Sequence, residues 1–199
     1  GALSQMKEYK LAKSNPGAVN VLHFFRSIWP EQKGGIEKQI FDLSVSTKAL
    51  GINNHLVSLS NNVKGKLFGA EPFETFALFP STFRFNSADV SVPLLFKFRK
   101  LVERADVVHF HFPDPMGELL SLFSIGDKPY VVTYHSDIVR QNQLRKLYSP
   151  MIASHLNRAS KIIATSPNYL GSSKTLLKYK SKVSVIPIGI EIPELSTCC

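Results

Sequence analysis

Short runs of apolar and β-branched residues alternate along the chain with longer stretches in which apolar residues recur every three or four positions. The short runs are VNVLHFF (Val19 to Phe25), HLVSLS (His55 to Ser60), TFALFP (Thr75 to Pro80), DVVHFHF (Asp106 to Phe112), YVVTYH (Tyr130 to His135), KIIATS (Lys161 to Ser166) and KVSVIPI (Lys182 to Ile188). Near-continuous apolar strands suit a parallel sheet, whose two faces are both covered. About seven such strands separated by helices predict an α/β fold: a doubly wound, mostly parallel Rossmann-like sheet with helices on both faces.

The helices carry their own signals. After Gly34 and Gly35, the residues Ile36, Ile40, Leu43 and Leu50 make an approximate helical stripe, and Gly51 fits a stop just past the C-cap. Pro93 opens a second helix in which Leu94, Leu95, Phe98, Leu101 and Val102 form the apolar stripe and Lys97, Lys100 and Arg104 turn elsewhere. Asp114-Pro115 and Ser166-Pro167 each read as an N-cap followed by a first helical residue. Arg140 to Ala159 is helical in pattern, with Pro150 expected to kink or restart it. The organisation expected is a polar extension over 1–18, one domain over 19–191 and a short tail over 192–199.

Composition narrows the class. With 199 residues, 44% of them hydrophobic, the chain can bury the core of one large domain. No apolar run approaches the roughly 20 residues that cross a bilayer. The N-terminal stretch lacks the apolar centre of a secretory signal, so a cytoplasmic location is expected, with peripheral contact to the inner face of the membrane as an option. Cys198 and Cys199 are neighbours and cannot close a loop through the core. A formal charge of +9 favours anionic partners, although the basic residues fall in small groups that solvated helix faces explain equally well.

In open parallel sheets ligands bind beyond the C-terminal strand ends, and that rule selects the residues to weigh. Beyond the first run lie Arg26 and the pair Gly34-Gly35 at a helix start, where exposed N–H groups and the helix dipole attract phosphate or carboxylate. A tight turn needing positive φ explains the glycines as well. Neither G-x-G-x-x-G nor a Walker loop is present, which argues against an ordinary NAD enzyme or a P-loop ATPase. In HFHFPDP, His109 and His111 are two apart and share one side of the strand; His109 reads as a core histidine and His111 as a ligand contact. The fifth run ends in His135 and Asp137, the aspartate also suiting a helix cap, and the sixth ends in Ser166, a cap first and a ligand contact second.

Taken in order, the glycine-started helix, DVVHFHFPDP, YVVTYHSD, ASKIIATSP and VSVIPIGIE resemble the N-terminal half of the retaining GT-B glycosyltransferases of family GT4, from about Val19 to Glu191. That resemblance implies an acceptor-side domain working with a second, C-terminal domain that holds most of a nucleotide-sugar donor, a UDP- or GDP-sugar. It implies transfer to a glycan or lipid-linked saccharide in cell-surface polysaccharide or glycolipid synthesis, without cofactor or metal, and little activity for this half alone. Carried onto this chain, His111 attends the transferred sugar, Gly34 and Gly35 approach the donor phosphates with Arg26 beside them, and His135, Asp137 and Ser166 line the acceptor side. Two alternatives remain: a metal-dependent hydrolase built on the H-x-H pair, which needs later ligands that this chain does not supply, and a non-catalytic anion-binding module. Nucleic acid is not expected as a partner.

Overall fold

The computed structural model of the chain describes residues 17–29, 32–60, 71–85, 88–137 and 144–189. Most of the expected extension over 1–18, the tail over 192–199 and the start of the Arg140 helix lie outside the described residues.

Seven strands form one parallel sheet: β1 (Asn20–Phe24), β2 (Asn53–Leu59), β3 (Thr75–Phe79), β6 (Val107–Phe112), β7 (Tyr130–Tyr134), β8 (Lys161–Ala164) and β9 (Val183–Val185). They correspond one for one to the seven apolar runs. The sequence reading missed β4 (Phe83–Phe85) and β5 (Ala88–Val90), an antiparallel pair apart from the main sheet. At three residues each, both are too short to show a pattern.

The strand order is β3-β2-β1-β6-β7-β8-β9, so the chain leaves β1 toward one edge, returns, and continues on the other side of β1. Between β1 and β6 the winding reverses. Such sheets receive ligands beyond the C-terminal strand ends at that reversal.

The two sheet faces differ. One carries the main core: Leu22, Phe24, Val57, Val108, Phe110 and Phe112 from the strands pack against α2 (Val92–Val102), α3 (Pro115–Phe123), α4 (Leu144–Arg158) and α6 (Lys174–Lys178). Gly117 on α3 lies where an added Cβ would meet Phe24 and Phe110 at 3.3 Å, so the helix sits close on the sheet. The other face carries α1 (Gly35–Ala49), with a smaller cluster of Phe25, Ile40, Leu56 and Phe73.

Helix α1 departs from its expected stripe. Its buried residues are Glu37, Ile40 and Ser44, while Leu50 is 80% exposed at the C-cap. The cause is a polar face against the sheet, described below. Its end is as expected: Gly51 has φ 82°, its N–H donates to Lys48 O, and Ile52 N–H donates to Thr47 O, the paired bonds of a Schellman cap. Helix α2 starts at Ser91 with Pro93 in its first turn, and α4 runs through Pro150.

On α2, Phe98 is fully buried with its ring 6.0 Å from Phe24, whereas Phe96 is 83% exposed. Phe98→Ala is expected to cost about 3–5 kcal/mol and Phe96→Ala within about 0.5 kcal/mol, read from urea unfolding midpoints. Equal costs would contradict this packing.

Candidate functional site at the strand reversal

Parallel pairing sets His23 of β1 directly beside His109 of β6, and His111 follows two residues on along the same face. The rings form a row: His23 to His109 5.0 Å, His109 to His111 4.3 Å and His111 to His135 5.5 Å between centroids. His23, His109 and His111 are buried and His135 is half-buried. His111 is thus more enclosed than its place at a strand end suggests, and His135 is the member nearest solvent.

Each ring is held. Asn54 on β2 accepts a hydrogen bond from His23 Nε2 at 3.1 Å. The Asn54 amide cannot be turned round, because its nitrogen donates to Ser44 O at 3.1 Å and to Ile52 O at 3.4 Å, both obligate acceptors. The proton of His23 therefore sits on Nε2 and the lone pair on Nδ1. Thr47 also bonds the Asn54 amide, which explains why α1 turns Ser44 and Thr47 rather than leucines toward β2. His109 Nε2 pairs with Thr133 Oγ1 at 2.7 Å, the satisfied core histidine expected from sequence. His111 Nδ1 pairs with His135 Nε2 at 3.3 Å.

Two ring nitrogens in this row, His23 Nδ1 and His111 Nε2, are buried without a partner among the described residues. Such a group costs roughly 1–3 kcal/mol when nothing replaces its hydration. Burial pushes His23 and His135 down to about 4, and His109 and His111 well below the ordinary histidine value, with neighbouring imidazoles adding to the shift in His109 and His111. The row is neutral at pH 7, each ring able to donate one proton and accept one.

Beside the row, helix α1 starts without any left-handed backbone. Gly34 is its N-cap with φ −100°, a conformation open to every residue, so a tight turn does not explain the glycine pair. Gly34 instead makes room for Glu37, whose carboxylate folds back to within 2.0 Å of where a Cβ would stand and accepts a hydrogen bond from Ser27 Oγ. Around Gly35 that space is open among the described residues: none of their atoms beyond its own helix turn and chain neighbours lies within 4 Å of an added Cβ. Phe25 lies between the two parts of the candidate site, with its ring 6.2 Å from that of His111 and 5.7 Å from the Arg26 guanidinium, in an apolar cluster that includes Ile36 and Ile40 of α1. A cleft lined by Ser27, Trp29, Glu37, Phe41 and Phe73 lies along the start of α1.

Across the reversal, Asp114 caps α3 as expected, accepting from Met116 N, and its second oxygen accepts from Arg26 N at 2.8 Å. Burial pushes its carboxyl up to about 6, against the pull of Arg26. Glu118, one turn on, is pushed well up by burial and by Asp114. The exposed Arg26 side chain is the cation nearest this corner among the candidate residues.

The remaining candidates divide. Asp137 Oδ1 accepts from Tyr134 Oη at 2.7 Å and Ser173 Oγ at 2.9 Å, tying the loop after β7 to α6 rather than meeting the histidines. Ser166 caps α5 (Pro167–Ser172) by accepting from Tyr169 N. Phe25 relates the other candidates: its ring lies 6.2 Å from that of His111, which bonds His135, and 5.7 Å from the Arg26 guanidinium, and it shares an apolar cluster with Ile36 and Ile40 of α1, whereas Asp137 and Ser166 are bonded within the scaffold of the β7 and β8 ends. Sequence reasoning missed His23, Asn54 and Glu37. VLHFF in β1 and VVHFHF in β6 share the step V-x-H-F, the one signal that could have paired His23 with His109.

Residues 33–193 match Glycosyltransferase Family 4. The chain belongs to glycosyltransferase family 4. It is 38% identical over 175 residues to D-rhamnosyltransferase WbpZ of Pseudomonas aeruginosa and 37% identical over 175 residues to O-antigen chain mannosyltransferase C of Escherichia coli. Those alignments cover 87% of this chain but 45% and 46% of the relatives, so the chain spans about half the length of the curated relatives it matches. Among solved structures, Anabaena HepE in complex with UDP superposes with a TM-score of 0.59 at 16% identity, over 86% of this chain and 44% of that one. A glycosyltransferase from Rickettsia africae gives 0.52 at 17%, over 87% and 44%. These family 4 and GT-B likenesses agree with the expected fold and family.

The six histidines of the chain all have lowered pKa values in the fold. As pH falls through 6.5 the unfolded chain takes up protons that the folded chain refuses until about 4, so the histidine contribution to stability is lost across that window. His23 alone is worth roughly 3 kcal/mol there. Asp114 and Glu118 act oppositely, losing stability as pH rises from about 4, but two carboxylates do not offset six imidazoles. Urea midpoints are expected to fall steeply between pH 6.5 and 4.5; a flat or rising profile would rule out the neutral row.

Proposed function

We propose that this domain is the acceptor-side half of a retaining glycosyltransferase that moves a sugar from a nucleotide-sugar donor to a glycan or lipid-linked saccharide in cell-surface polysaccharide synthesis. The carrying observation is Phe25, just past the end of β1 beside the β1/β6 reversal, whose ring lies 6.2 Å from His111 and 5.7 Å from the Arg26 guanidinium and packs in the apolar cluster of α1. Family membership supports the reaction class. The names of the relatives, a D-rhamnosyltransferase and an O-antigen chain mannosyltransferase, support deoxyhexose or hexose transfer into a surface glycan, and the UDP in the HepE structure supports a nucleotide-sugar donor.

In this reading the α1 N-terminus and Arg26 face the anionic leaving group, where preorganised donors lower the barrier most. His111, neutral, offers its unpartnered Nε2 to a hydroxyl of the transferred sugar, and His135 holds the ring from behind. Water is kept from His111 by Phe25. His135, Asp137 and Ser166 border the acceptor side, Asp137 by fixing the β7 loop. Most of the donor is held by a second domain like that of the longer relatives, and this half by itself turns over little. The H-x-H hydrolase and the nucleic-acid module are not favoured.

The same reading places the domain on the cytoplasmic membrane face as a peripheral protein. Phe96 and Phe123 are 83% and 76% exposed on helices joined where Ser124 Oγ donates to Leu95 O, and Arg99 and Lys100 stand exposed on the helix of Phe96. Apolar rings flanked by cations suit an anionic bilayer.

In the full-length protein, His111→Ala is expected to lower sugar transfer by about 100-fold or more, measured with a panel of UDP- and GDP-sugars. Gly35→Val adds a side chain into open space, so circular dichroism is expected to be unchanged while transfer falls sharply. Normal turnover in both variants rejects the site. Cosedimentation with phosphatidylglycerol vesicles is expected to weaken in Phe96→Ser/Phe123→Ser; unchanged cosedimentation rejects the membrane surface.

A further inference from the structure

The histidine row holds ring nitrogens that its described neighbours leave unsatisfied, and its three buried rings bring nitrogens close together. One ring nitrogen from each of His23, His109 and His111 lies within 4.8 Å of the other two. One nitrogen on each ring is already engaged, by Asn54, Thr133 and His135 respectively. His23 Nδ1 and His111 Nε2 are buried and unpartnered, and the Asn54 bond fixes a lone pair on the first of them.

We propose that His23, His109 and His111 form a binding site for a single divalent transition-metal ion, of the class typified by Zn2+. Three imidazoles select Zn2+, Ni2+, Co2+ or Cu2+ over Mg2+ and Ca2+, which take oxygen ligands. Two ligands come from one strand at i and i+2, and the third stands in direct register on its neighbour. The outer hydrogen bonds are those that orient ligating histidines in metal sites. The rings are already neutral, so binding displaces no proton from them.

Tetrahedral ligation at a Zn–N distance of about 2 Å puts ligand nitrogens about 3.3 Å apart. From their 4.8 Å limit the rings close by at most about 1.5 Å, within reach of side-chain rotation. Entry runs past His135, the half-buried end of the row. The site differs from the catalytic use proposed above and competes with it: an ion on His111 Nε2 removes that atom from the sugar. On that reading, which this consequence alone rests on, metal loading switches transfer off and chelation restores it.

The test uses the full-length protein, made metal-free with chelator, with Cys198 and Cys199 both replaced by serine and Zn2+ alone as the probe. Equilibrium dialysis is expected to give one Zn2+ per chain at this site. His23→Gln, His109→Gln and His111→Gln are each expected to weaken it roughly 100-fold, while His55→Gln and His155→Gln leave it unchanged. Loading with Co2+ needs no histidine variant and is expected to give the intense visible absorption of a tetrahedral nitrogen site. Less than one ion per chain, an ion retained without any one of the three histidines, or a weak octahedral Co2+ spectrum overturns the site. If Zn2+ binds as expected and transfer continues unchanged, the metal site stands and the role given to His111 falls.

Discussion

The in-register parallel pairing of β1 with β6 is the constraint on which the rest of this structure depends. It aligns Val21 with Val107 and Phe24 with Phe110, and so must align His23 with His109. A slip of one residue would send every side chain of β1 to the opposite face, exchanging the phenylalanines of the main core for imidazoles. Burial of Phe24 and Phe110 against α2 and α3 therefore also assembles the histidine row on the far face. Apolar packing sets the position of the polar site.

What covers that row follows from the need to satisfy it. A helix presenting only leucines to β2 would leave Asn54 and His23 unpaired, at a cost comparable to the hydrophobic gain from each leucine. Helix α1 supplies Ser44 O and Thr47 Oγ1 instead, and keeps Ile40 for the apolar cluster. Its first turn completes the corner: Glu37 folds over Gly34 while Gly35 stays open to whatever approaches the strand ends. Polar satisfaction inside and an uncovered helix end outside belong to one element.

The fold was legible because its signals are local. Each strand of the main sheet contains a short, mostly apolar run, and Asp114, Ser166 and Gly51 do the capping and stopping their residue types suggest. The site was legible in part. His111 and the α1 start follow from the strand-end rule, whereas His23 is invisible to it, since one histidine within an apolar strand reads as core until its partner strand is known. Glu37 and Ser44 escaped for a related reason: the periodicity of α1 was read from its apolar residues, and the face it buries is largely polar. Asp137 shows the converse limit, a strand-end carboxylate whose two partners, Tyr134 and Ser173, come from the scaffold.

The central proposal is that the end of the imidazole row formed by His111 and His135 meets the substrate. Histidine-ring NMR of the 15N-labelled full-length protein, titrated with a panel of UDP- and GDP-sugars, tests this most directly. His155, buried on the opposite face against Phe110 and Tyr130, is an internal control. The account predicts that the His111 and His135 ring signals shift on binding and those of His155 do not. Movement of His155 with His111 and His135 unchanged would contradict it.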